Sequence, residues 1–195
     1  MMDVYMFDMG GVLSEENSMA PALLQELGLG GTNLRQIGPK SAVAIEDCLR
    51  GVVTEEDFWN VVNKERGTHF PVHGLLAKHF KPVIDQGVLE VINQLRASGK
   101  RVICGTNVIA PHFQIHQERG DYAYFDKVYP SFVMKLSKPD PEFYRYIIGK
   151  EGVPADRFFF VDDTPKNVES ALAVGMHAFV FTDAASLKRR LSQGE

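Results

Sequence analysis

The stretch "YMFDMGGVLS", Tyr5 to Ser14, decides how the rest of the chain is read. An apolar run stops at a carboxylate, and two glycines follow almost at once. Asp and Gly are residues that turns select, so a strand ending in a turn satisfies the pattern. The same residues also suit a nucleophilic Asp8 at the carboxyl edge of a parallel sheet, with the backbone amides of Met9 to Gly11 available to an anion. The choice rests on what the remaining sequence brings to that edge.

Moving outward, short apolar runs alternate with segments of helical period, the pattern of a parallel sheet covered by helices. Four further strands are predicted: "RVICGT" (101–106), "KVYPSF" (127–132), "RFFFVDD" (157–163) and "HAFVFTD" (177–183). Between them Val88, Val91, Ile92 and Leu95 share one helical face that Gly99 is placed to end. Thr164 and Pro165 form an N-cap and first-turn pair for "KNVESALAVG". The interval 14–85 breaks the rhythm: it shows helical segments, one capped by Thr54 before "EEDFWNVVNKE", and no convincing strand. It reads as a helical insertion with a short hinge at either end. The expected organisation is therefore an α/β, Rossmann-like core over 1–13 and 86–195, carrying a small helical cap over 14–85.

Composition narrows the classes of function. At 195 residues and 45% hydrophobic content the chain suits one core domain with an insertion. A net charge of −4 with mixed signs gives no basic stripe, which argues against nucleic acid as a partner. No apolar stretch is long enough to span a bilayer, and the opening residues lack a basic leader, so a cytoplasmic location is expected, as monomer or homodimer. Cys48 and Cys104 are too few for a disulfide framework or a thiolate metal site.

Four positions line up at or just past strand ends: Asp8, Thr106, Lys138 in "KLSKPDPEFY", and the pair Asp162 and Asp163. Each alone is ordinary, since Thr106 with Asn107 can cap a helix and Lys138 can be a loop lysine. Adjacent aspartates closing an apolar strand are less so, because their charges repel unless a cation offsets them. Together, a nucleophilic carboxylate, a hydroxyl, a lysine and an acidic pair are the parts of metal-assisted phosphoryl transfer through an aspartyl phosphate. Oxygen ligands of this kind select magnesium.

With these residues in view, the sequence resembles the haloacid dehalogenase superfamily over nearly its whole length. "FDMGGVL", "VICGTN", "SKPDPEFY" and "FFFVDDTPKNVESALAVGM" match the superfamily's four motifs in order, and "RGVVTEEDFW" is similar to part of its small helical cap. The likeness is greatest to small phosphatases with glycine two residues after the nucleophile, a group that resembles sugar-phosphate phosphatases. The resemblance implies that Asp8 attacks phosphorus and that Thr106 and Lys138 hold phosphoryl oxygens, with Met9, Gly10 and Asn107 against the same phosphate. It also implies magnesium held by Asp8, Asp163 and the Gly10 carbonyl, with Asp162 acting through a water. The expected substrate is a small phosphorylated metabolite, sugar phosphate-like.

Gly10 departs from that pattern. Most phosphatases of the superfamily carry there a second aspartate that protonates the leaving group and later activates water. Glycine supplies a carbonyl but no proton. A dehalogenase also lacks that acid, but it needs no magnesium and leaves the pair Asp162 and Asp163 without a role. A receiver-like phospho-acceptor has its acidic pair first and its phosphorylated aspartate later, the reverse of this order. A phosphate-binding protein without turnover is a further alternative. His112 is placed to substitute as an acid, although a helix-surface position is the plainer expectation. His69, His73 and His79 show no metal-ligand spacing, and "KRR" at 188–190 reads as a solvated helix face.

Overall fold

The computed structural model describes residues 2–15 and 19–193; both ends of the expected core, Met1 and Glu195, lie outside them. Strand β1 (Val4–Phe7) is followed by the two-residue β2 (Ser14–Glu15), then α1 (Met19–Glu26), α2 (Pro39–Leu49) and α3 (Glu55–Arg66). A second two-residue strand, β3 (Val83–Ile84), leads into α4 (Gln86–Ala97), β4 (Arg101–Thr106), α5 (Ala110–Arg119), β5 (Lys127–Pro130) and the one-turn α6 (Ser131–Met134). There follow α7 (Pro141–Glu151), β6 (Phe158–Asp162), α8 (Pro165–Ala173), β7 (His177–Val180) and α9 (Ala184–Ser192).

Five strands form one parallel sheet in the order β5-β4-β1-β6-β7, the expected α/β, Rossmann-like arrangement. The chain starts in the middle, builds β4 and β5 to one side, and then crosses to build β6 and β7 on the other. The order reverses at β1, where an open α/β sheet leaves a crevice at its carboxyl edge. Phe7 lies in register with Cys104 and Val161, so the residues closing β1, β4 and β6 come out at that crevice together.

Period-two alternation explains why β1 is buried on both faces. Tyr5 and Phe7 pack with Val88, Ile92, Val102 and Leu187 beneath α4 and α9. Val4 and Met6 pack with Ile103, Phe143, Tyr144 and Ile147 beneath α7. Full burial of a side chain such as Phe7 contributes about 1.5–3 kcal/mol. The predicted helix caps appear at Thr54, which shares a reciprocal pair of hydrogen bonds with Asp57, and at Gly99, which takes φ 77°.

Three sequence expectations are corrected. The strand expected over 127–132 stops at Pro130, because Ser131 starts α6 and its hydroxyl is engaged with Val108 and the Leu49 carbonyl. The strand expected over 177–183 stops at Val180, because β7 has only β6 to pair with and Val180 faces the last residue of β6, Asp162. The interval expected to lack strands contains β2 and β3, paired antiparallel as Ser14 with Ile84 and Glu15 with Val83. Two residues carry no period of their own, so only the distant partner creates them.

Between β2 and β3, Leu23, Leu24, Phe58, Trp59, Val62 and Leu76 form a separate apolar cluster, joined from the sheet side by Ile109 and Ile115. His112 lies at this junction and not on the open surface of α5. Its ring stacks on Phe80 at 3.7 Å, and its Nε2 is 2.7 Å from the Leu76 carbonyl. A carbonyl only accepts, so Nε2 carries the proton. Burial holds the His112 imidazole down at about 4. No described helix is long and apolar enough to cross a membrane.

Candidate active site

At the crevice, Lys138 places its ammonium 2.7 Å from Asp8 Oδ2 and 2.7 Å from Asp162 Oδ2. The lysine side chain is fully buried, as is that of Asp162. Burial opposes the charge on Lys138, but Asp8 and Asp162 outweigh it and hold the ammonium above its ordinary value. Burial pushes the Asp8 carboxyl up to about 7; Asp162 adds to the rise while Lys138 opposes it. The other Asp8 oxygen, Oδ1, accepts from the Met9 amide at 2.7 Å.

Lys138 is itself fixed from behind. Asn107 Oδ1 accepts from the Lys138 amide and its Nδ2 donates to the Lys138 carbonyl, each at 2.8 Å. The Asn107 carboxamide, expected against the phosphate, is therefore committed to the lysine loop. Asp162 is as fully used: Oδ1 accepts from the Thr164 amide and from Asn167 Nδ2, both at 2.9 Å. Thr164 is the N-cap of α8 with Pro165 following it, as expected; its side chain makes no capping bond, and its amide donates to Asp162.

Asp163 is the exposed member of the pair, and burial followed by the charge of Asp162 raises its carboxyl above the usual range. Oxygens of Asp8, Asp162 and Asp163 all lie within 4.8 Å of one another. Lys138 bonds two of the three, so the cluster is short of positive charge. An all-oxygen donor set in that state fits a hard divalent cation such as magnesium. Asp162 already accepts three hydrogen bonds and Asp8 accepts one on each oxygen, which leaves Asp8 a spare lone pair on both, whereas Asp163 has only a long contact from Thr164 Oγ1 at 3.4 Å. The donors open to an ion are thus on Asp8 and Asp163.

A pocket of about 340 Å³ opens here, lined by Asp8, Gly10, Gly11, Asn107, Lys138, Asp163, Thr164 and Asn167. Met9 turns its side chain into the core, and Thr106 is buried at the end of β4. Of the two glycines in the opening motif, Gly11 has the left-handed conformation, at φ +75°, and a β-carbon there would stand 2.4 Å from Asp163 Oδ2. Gly10 stands out in the sequence by its place two residues after Asp8, whereas the need for glycine at Gly11 comes from Asp163 beside it. Asn167 has a signal in the sequence: it follows Asp162 by five residues and lies in the first turn of α8, which brings its side chain back to Asp162. A larger cleft, of about 600 Å³, lies between the start of α3 and α5, and no candidate site residue lines it.

The sequence profile of the haloacid dehalogenase-like hydrolases matches residues 2–175. The chain belongs to that family. Among curated relatives, a sesquiterpene phosphatase of Aspergillus oryzae is 27% identical over 194 residues, covering 96% of this chain and 93% of that protein. A drimenol cyclase of Aspergillus calidoustus is 28% identical over 149 residues; the match covers 73% of this chain but only 28% of the cyclase. Of the solved structures, a haloacid dehalogenase family enzyme of Bacteroides thetaiotaomicron, in complex with magnesium and inorganic phosphate, superposes with a TM-score of 0.77. That likeness covers 96% of this chain and 99% of the enzyme at 20% identity, and so bears on the fold alone.

Proposed function

We propose that this haloacid dehalogenase-like hydrolase is a magnesium-dependent phosphatase, cytoplasmic, acting on a small phosphorylated metabolite through an aspartyl phosphate on Asp8. The observation that carries the reading is the position of Asp8, bound to Lys138 on one oxygen and to the Met9 amide on the other, with Asp163 within reach of the same ion. The resemblance to a sesquiterpene phosphatase supports phosphate-ester hydrolysis.

In this reading an Asp8 oxygen forms a bond to phosphorus as the bond from phosphorus to the ester oxygen breaks. Lys138, with the Thr106 hydroxyl and the Gly10 amide, holds the phosphoryl oxygens whose charge the transition state redistributes, the Met9 and Gly11 amides being given to Asp8 and to the Ser14 carbonyl. Asp8, Asp163 and the Gly10 carbonyl would hold magnesium, with Asp162 as a more distant support. The ion would supply charge neutralisation for the phosphoryl group. The leaving alcohol takes its proton from solvent, and water then cleaves the acyl phosphate to return Asp8 and release phosphate. Residues 14–85 act as a cap over the body formed by 1–13 and 86–195.

The test is turnover of acetyl phosphate and p-nitrophenyl phosphate with and without magnesium, in wild type and Asp8→Asn. Magnesium-dependent phosphate release that Asp8→Asn abolishes supports the reading. Release that persists in Asp8→Asn, or no release from either compound, overturns it.

A further inference from the structure

Beside the phosphate pocket lies a second cleft of about 210 Å³, and Asn107 stands in the wall of both. Its walls are Met19, Leu34, Ile45, Leu49 and Phe80 from the interval 14–85, facing Ile109 at the start of α5. Its polar side chains are in part engaged within the protein. Asn33 Oδ1 accepts from the Arg35 amide, Arg35 is paired with Glu46, and Asn107 is held by Lys138. His112 gives its proton to the Leu76 carbonyl and lays its ring on Phe80. Among the described residues lining the cleft there is no carboxylate.

A sugar needs hydrogen-bond partners for several hydroxyls, and hydroxyls buried without them are costly. This cleft offers few. We infer that the group esterified to the phosphate is apolar and occupies this cleft, so that the substrate is the phosphate ester of a hydrocarbon-like alcohol and not of a sugar. At the ~30 Å³ that a water-sized group takes, the cleft has room for about seven heavy atoms, and any longer tail continues into solvent. This inference rests on the phosphatase reading for the phosphate end and on the apolar walls for the remainder.

The test separates the two by measuring binding without turnover. Linear alkylphosphonates of one to ten carbons are titrated into the wild-type protein with magnesium present. Affinity should rise about three- to fourfold per methylene, as expected for a methylene leaving water, and level off near seven carbons. Ala20→Phe, which places a ring in the cleft wall, should move the break to shorter chains, with thermal unfolding to show that the variant is folded. A sugar phosphonate of similar size should bind more weakly than heptylphosphonate. Affinity independent of chain length, a break that Ala20→Phe leaves in place, or tighter binding of the sugar compound overturns the inference. Acetyl phosphate turnover in wild type, which does not call on the cleft, reports on the phosphatase reading separately.

Discussion

A β-carbon on Gly11 would stand 2.4 Å from Oδ2 of Asp163, so the nucleophile loop and the acidic pair fit together only because that residue has no side chain. The left-handed backbone at Gly11 adds about 1–2 kcal/mol for any other residue. Gly11→Ala should therefore lower the melting temperature and, by displacing Asp163, weaken magnesium binding at least about tenfold. Calorimetric titration of magnesium beside a thermal melt checks both.

Lys138 holds Asp8 and Asp162 together inside the protein. Lys138→Met leaves two buried carboxylates without a cation, a change expected to cost about 3–5 kcal/mol at neutral pH. Protonation of the carboxylates relieves the repulsion, so the deficit against wild type should shrink as the pH falls from 7 to 5. Urea unfolding at the two pH values measures it.

Asp162 and Asp163 should respond differently to the same substitution. Asp162→Asn keeps an oxygen for Thr164 and Asn167 but turns an NH2 donor toward the Lys138 ammonium, and should destabilise the fold by about 3 kcal/mol. Asp163→Asn removes a charge that burial and Asp162 already disfavour, so stability without magnesium should not fall, while magnesium affinity should drop steeply. Equal effects of the two on both measurements would contradict the division of labour.

His112 sits near 4 because burial disfavours its charged form, and His116 is lowered for the same first reason. In the unfolded chain both histidines take up protons near pH 6.5, before they do so when folded. Between pH 6.5 and 4 the unfolded state binds more protons, so this contribution to stability is present above that window and is lost as the pH falls through it. Removing the imidazole in His112→Phe should shrink the loss by up to about 3 kcal/mol. Unfolding curves for wild type and variant across pH 4 to 7 give the difference directly.

Gly10 supplies no proton, and His112 already gives its own to Leu76. A positioned general acid contributes about 10²–10⁴-fold, most for poor leaving groups. Rates on esters of graded leaving-group pKa should therefore fall steeply in wild type and less steeply in Gly10→Asp. Equal slopes would mean that another group already performs the transfer.

The sheet and the site were legible in the sequence for one reason: strands buried on both faces leave unbroken apolar runs, and Asp8, Thr106 and Asp162 fall where those runs stop. What escaped was set by distant partners. Ser14 and Ile84 become strand residues only by meeting each other from far apart in the chain, and the commitment of Asn107 to Lys138 depends on two loops approaching each other. Burial of His112 likewise depends on Phe80 and Leu76, which no helical period around residue 112 can reveal. Gly11 needed Asp163 beside it before its missing side chain had meaning.

The ribbon made by Ser14–Glu15 and Val83–Ile84 fastens both tethers of the inserted segment to each other, and the Asp85 amide adds a bond to the Leu13 carbonyl. Two strands zipped side by side cannot turn independently, so swinging of the helices between them is restricted to a single pivot. That pivot adjoins the nucleophile loop, since the Ser14 carbonyl accepts from the Gly11 amide and the Ser14 amide donates to the Met9 carbonyl. A swing of the helices is thereby transmitted to the loop that carries Asp8 through two hydrogen bonds, without passing through the rest of the sheet.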